Sequence, residues 1–182
     1  MLTEKDRAFI ESMAKGIQKE VGCEPPNKYD FNRVMNYFTD AGAVFKHGDF
    51  AHTRENIIYL PFYFEGKEIE DPQSHADVLF HEIWHFIVYI IREFQNNAES
   101  QNGLKAESNN HMYTEKTIEK EESSSNFFSR AMLLPEEAFR EKVTEYSDIE
   151  GRCDIFSVAK QFSTSFSKVI SRGNDLQLWS TT

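Results

Sequence analysis

The sequence predicts an α+β fold, mainly helical with a small antiparallel sheet. Apolar residues recur at helical intervals along most of the chain. That rhythm breaks once, from Ala43 onward, where short apolar pairs alternate with turn residues. A length of 182 residues, 40% of them hydrophobic and 16 of them Phe, suits one domain with a core of large rings and a small appended lobe.

Thr3 with Asp6 has the pattern of a capping box, and Phe9, Met13, Ile17 and Val21 follow at four-residue spacing. This predicts an amphipathic helix stopped near Gly22 and Pro25-Pro26. Asp30 caps a second helix whose Phe31, Val34, Met35 and Phe38 point inward, with Gly42 just past its end. Val44-Phe45 and Phe50-Ala51, on either side of Gly48-Asp49, predict a hairpin, and residues 56–60 a strand ended by Pro61. Ser74 and Asp77 mark the start of the next helix, which runs to about Phe94. Its apolar residues go most of the way round, so it is central and covered on several sides. The composition of residues 96–110, rich in Asn, Gln, Ser and Glu, predicts a long mobile loop. A helix from Thr114 to Leu134 ends at Pro135, and Glu136-Glu137 opens a short one through Val143. Two short helices, 155–162 and 166–176, close the chain, with Ser165 capping the second.

A net charge of −10 argues against phosphate-backbone binding as the main activity. Cys23 and Cys153 form neither a disulfide framework nor a cysteine metal site, which points to a reduced, cytoplasmic setting. The first six residues are charged, unlike a secretory signal. The longest apolar run, 86–91, falls far short of the roughly 20 residues a membrane span requires.

His81-Glu82-Ile83-Trp84-His85 lies inside the most hydrophobic stretch. Four residues apart on a helix, the two imidazoles project from one face about 6 Å apart along the axis. Both can then reach one ion at about 2.0–2.1 Å. Glu82 stands about 100° around the helix, placed to accept a proton from water without binding the metal. His47, His52 and His75 have no partner at ligand spacing and read as surface or loop residues. Asp77, four residues before His81, is assigned to the helix cap with Ser74.

Catalytic zinc takes three protein ligands and one water. In metzincins the third ligand is a histidine six residues after the second, preceded by a glycine; those positions are Ile91 and Val88, which excludes that class. The other source is a carboxylate on a later helix. Residues 115–122 offer Glu115, Glu119, Glu121 and Glu122, with Glu115, Glu119 and Glu122 on one face. Glu122 stands where the helix turns from polar to apolar. For Glu115, Glu119 and Glu121 the reading is a solvated face.

The block Glu122-Ser123-Ser124-Ser125-Asn126-Phe127-Phe128-Ser129-Arg130-Ala131-Met132-Leu133-Leu134-Pro135 resembles the E-x-x-A-N-x-F-A-x-x-L-L-M-P helix of the ImmA/IrrE-type metallopeptidases. Glu122, Asn126, Phe128, Leu133 and Pro135 fall in register. Ser125 and Ser129 stand in place of alanines, Met132 in place of the first leucine and Leu134 in place of the methionine. The tail from Val158 to Leu178 resembles that family's closing helix-turn-helix-like segment, and the strand before the zinc helix also fits. The resemblance covers roughly residues 30–180.

It implies a zincin-like peptidase domain over 1–145 and a helix-turn-helix-like segment, 146–182, packed on it. It assigns zinc to His81, His85 and Glu122, with manganese as the other candidate, and the general base to Glu82. Asn126, and Tyr113 and His111 just past the polar loop, are candidates for supporting the ligands or an oxyanion. The implied substrate is a protein, a helix-turn-helix transcriptional repressor whose cleavage would derepress stress or mobile-element genes. The competing expectation is a non-catalytic metal-binding regulator, or a DNA-binding module carried by the C-terminal segment, within a phage-immunity or toxin–antitoxin pair. The second helix of that segment offers only Lys168, with Arg172 just after the apolar stretch, which is thin for reading a groove. Neither a membrane nor direct nucleic-acid binding is expected.

Overall fold

A computed structural model describes residues 2–22, 29–101 and 115–179. Among them the order is α1 (Glu4–Glu20), α2 (Phe31–Asp40), β1 (Val44–His47), β2 (His52–Arg54), β3 (Ile57–Leu60), α3 (Pro72–Gln101), α4 (Glu115–Leu133), α5 (Glu136–Glu145), α6 (Ile155–Gln161) and α7 (Phe166–Asp175). Among the described residues the chain is α+β, with helices predominating and one three-stranded sheet.

α1 begins on the capping box expected of Thr3 and Asp6. Its buried face is Ile10, Ala14 and Ile17, however, and Phe9 is 50% exposed. Asp30 caps α2 through the Arg33 N–H at 3.1 Å. Gly42, at φ +97°, ends α2 in a Schellman turn, with the Ala43 N–H on the Phe38 carbonyl and the Gly42 N–H on the Thr39 carbonyl.

The sheet differs from the expected antiparallel hairpin. β1 and β2 do not pair with each other; the order is β1-β3-β2, with β1 parallel and β2 antiparallel to β3, so the sheet is mixed. The hairpin lies between β2 and β3, around Glu55-Asn56, with Glu55 at φ +56°. The physical reason is burial. β3 carries Ile58 and Leu60, both fully buried, and the most apolar strand takes the centre, flanked on both sides. Gly48 lets β1 leave against β3, because a Cβ there would meet the Tyr59 Cβ at 3.0 Å.

α3 also exceeds its expected limits. It starts at Pro72, after Asp71 at φ +41°, and continues to Gln101, so Ser74 and Asp77 are not its cap. Proline suits a first helical position because its missing N–H would have no partner there. No glycine or proline follows before Gln101 to stop the helix. Leu79, Phe80 and Ile83 are wholly buried, each worth about 1.5–3 kcal/mol of transfer free energy. The sheet lies on α3 through β2 and β3, while α4 packs along both α3 and α1.

Two apolar clusters meet near Leu133. The larger joins α1, α2, β3, α3 and α4. The smaller is Leu134, Phe139, Val158, Ala159, Phe162 and Val169, so α5 packs with the C-terminal helices, and the packing divides before residue 145. Ser165 caps α7 as expected. Arg172, fully buried, donates from Nε to the Leu134 carbonyl at 2.8 Å and grips Glu11 of α1 with both terminal nitrogens. Arg130 binds the Asp175 carboxylate through two bonds at 2.6 and 3.2 Å, and Arg7 donates to the Asp175 carbonyl. The guanidinium groups of Arg7, Arg130 and Arg172 all lie within about 6 Å of the Phe127 ring, cation–π range.

Candidate metal centre

α3 and α4 bring His81, His85 and Glu122 together. The two Nε2 atoms stand 3.3 Å apart. One Glu122 oxygen lies 3.3 Å from His81 Nε2, and the other 3.4 Å from His85 Nε2. One ligand atom from each residue fits within 4.8 Å of the others, and this group can hold a metal ion. Ligand atoms bound at about 2.0–2.1 Å around a tetrahedral ion stand about 3.3–3.4 Å from one another. The separation of the two Nε2 atoms matches one edge of such a site, and the Glu122 carboxylate straddles them, with a different oxygen at that spacing from each ring. Glu122 is half-exposed at 51%, while the two imidazoles are mostly covered, so the centre opens on one side.

Glu82 is buried beside them. Its carboxylate takes the Thr53 hydroxyl at 2.9 Å, and the same hydroxyl lies 3.0 Å from the Glu82 carbonyl oxygen. Thr53 belongs to β2, so the sheet fixes Glu82 from outside the helix.

Glu121 is not on a solvated face. It is 15% exposed, accepts from His85 Nδ1 at 3.0 Å and pairs with Arg92 at 2.7 Å. Burial works to raise the pKa of Glu121, and the bonds from His85 and Arg92 outweigh it and lower it. Burial likewise works to lower that of His85, but the Glu121 bond and the charges of Glu82, Glu122 and Glu121 together raise it. Ser125, buried one turn after Glu121, places its hydroxyl 3.2 Å from His85 Nε2 and donates to the Glu121 carbonyl.

Asn126 is exposed and donates to the Glu122 carbonyl on its own helix. His111 and Tyr113 lie outside the described residues. Asp77 neither caps α3 nor bonds His81; it accepts from Ser129 of α4 at 2.7 Å and pairs with Lys168 of α7 at 2.7 Å. His47, His52 and His75 stack on Phe64, Tyr59 and Phe62, the first two from within strands and the third from the first turn of α3. Glu119 is exposed, as a solvated face requires.

Thr53 and Arg92 carry no reading from the sequence, while Glu121 reads there as a solvated carboxylate and Ser125 only as a small residue in place of an alanine. Arg92 had a readable signal: it stands two turns after His85 on the same helix, a cation at the edge of an apolar run. Comparison of the chain with protein-family models, with curated proteins and with solved structures gives no match.

Proposed function

We propose that this chain is a zinc-dependent endopeptidase of zincin-like fold, similar to the ImmA/IrrE type. The observation that carries the reading is the convergence of two imidazole nitrogens and a carboxylate within 4.8 Å of one another, beside a buried glutamate outside that group. A divalent ion held by His81, His85 and Glu122 would acidify water and polarise a carbonyl. Two nitrogens and one oxygen suit zinc, and manganese is the second choice.

In this reading Glu82 accepts a proton from the attacking water as oxygen bonds to the peptide carbonyl carbon. It then delivers that proton to the amide nitrogen as the C–N bond breaks. Thr53 holds Glu82 in place for both transfers. β2, which carries Thr53, is an edge of the sheet among the described residues. An extended peptide adding to that edge by main-chain hydrogen bonds would lie beside Glu82, which favours a polypeptide substrate. The resemblance makes that substrate a helix-turn-helix repressor.

The DNA-binding alternative needs free cations on the last helix, and Lys168 and Arg172 are both engaged within the molecule, with Asp77 and Glu11. No helix among the described residues is long and apolar enough to cross a membrane.

The test is Glu82→Gln, assayed on helix-turn-helix repressors with metal content measured in parallel. Cleavage should fall by about 10²–10⁴-fold, with zinc retained. A variant that cuts as fast as the parent overturns the mechanism.

A further inference from the structure

Glu121 and Glu122 are consecutive on α4, so their side chains leave the helix about 100° apart. Glu122 faces the two Nε2 atoms. Glu121 passes behind the His85 ring and meets Nδ1 at 3.0 Å, while Arg92 holds its other oxygen at 2.7 Å. The resulting series runs Arg92, Glu121, His85, metal position. An imidazole that gives its Nδ1–H to a carboxylate keeps the lone pair on Nε2 and is a stronger ligand for it. The ring is also fixed in rotation, since both of its nitrogens are engaged.

We infer that Glu121 is a positioning residue of the metal centre, setting the tautomer and orientation of His85, and that Arg92 keeps the Glu121 carboxylate turned toward the ring. A plain ion pair between α3 and α4 would need Arg92 and Glu121 alone. Here one oxygen of the carboxylate is committed to the ligand histidine, on the side opposite the ion. The inference rests on the metal site of the proposed function but not on peptide hydrolysis, and it is tested without an activity assay.

The experiment compares the full chain with Glu121→Ala, Glu121→Gln, Arg92→Met and Glu122→Ala. Zinc affinity is measured by chelator competition. The ¹⁵N resonances of the His85 ring are recorded in the metal-free protein at a pH where the ring is neutral. The parent should carry its His85 proton on Nδ1. Glu121→Ala should mix the tautomers and weaken zinc binding by about 10–100-fold. Glu121→Gln, whose amide oxygen can still accept from Nδ1, should recover part of that loss, and Arg92→Met should fall between Gln and the parent. If Glu121→Ala does not fold, the Gln and Arg92 variants carry the comparison. The inference is overturned if the foldable Glu121 variants bind zinc as tightly as the parent, or if the parent's proton sits on Nε2. Loss of zinc in Glu122→Ala alone would leave the metal site standing without the positioning role. A parent that binds no zinc removes both.

Discussion

The junction of α3 with α4 and the latch that holds α7 against α1, α3 and α4 both set charge beside apolar side chains, and they treat it in opposite ways. At the latch each carboxylate has a cation at bonding distance: Glu11 with Arg172, Asp175 with Arg130, Asp77 with Lys168. Arg7 finishes on the Asp175 carbonyl. At the junction three carboxylates, Glu82, Glu121 and Glu122, surround two imidazoles, and among the described residues the guanidinium paired with them is that of Arg92. With neutral imidazoles, that leaves two negative charges, which is the charge a divalent ion supplies. A closed set of pairs holds elements together; a carboxylate and two imidazole nitrogens that converge on one point, with further negative charge around them, favour a cation there.

The strongest way to break this contrast is to remove a ligand. Glu122→Ala should lose zinc while its latch, and so its metal-free melting temperature, stays close to the parent's. Adding zinc to the parent should raise stability by about 2.7 kcal/mol at a free concentration one hundred times Kd. The same addition should leave Glu122→Ala unmoved. Calorimetry with and without zinc on both proteins reads this directly, and equal stabilisation of the two would mean that zinc binds somewhere else.

Disrupting the latch should do the reverse. Arg172→Met strands Glu11 and the Leu134 carbonyl, and a buried pair broken on one side costs about 3–5 kcal/mol, with the lower end apt because Glu11 is partly exposed. Denaturant unfolding should show that loss, and zinc affinity of the folded fraction should be unchanged. Pairing Arg172→Met with Glu11→Leu should recover much of it, since an apolar replacement of both partners removes the unpaired charge. If zinc affinity falls along with stability, the two regions are coupled and the contrast is too sharp.

The two regions were also unequally legible in the sequence. His81, Glu82 and His85 could be placed because their geometry is local: one helix and a fixed rise set it. Glu122 was reachable only through a resemblance, since four glutamates in 115–122 offered ligands and no periodicity chose among them. Glu121 was assigned to solvent because its burial depends on how α4 rolls against α3, which involves residues far along the chain. The latch was unreadable for the same reason. Asp77 resembled a cap until its partners, Ser129 and Lys168, arrived from two other helices. The sheet was misread at a turn without a glycine, Glu55-Asn56, where the burial of Ile58 and Leu60 rather than turn chemistry selects the pairing. Caps that depend only on neighbours (Thr3, Asp30 and Ser165) were all placed correctly.

The smallest expected effect lies between the two regions. Asp6 of α1 binds Lys120, the residue before Glu121, at 3.1 Å, on the same helix that supplies Glu11 to the latch. Its pKa is held down to about 2, first by the Thr3 backbone N–H, then by the Thr3 hydroxyl and the Lys120 ammonium. A carboxyl whose folded pKa lies below its ordinary 3.8 adds stability that is fully present above that value and lost as pH falls through about 2. Asp6→Asn should therefore lower the melting temperature slightly at neutral pH, and the gap to the parent should close between pH 3.8 and 2. Asp6 is partly exposed and Lys120 more so, so salt should shrink the Lys120 share of the effect and spare the share from Thr3. Melting curves of both proteins at several pH values and two ionic strengths separate these contributions. A gap that persists unchanged down to pH 2 would mean that the capping geometry, not the charge, is what Asp6 supplies to α1.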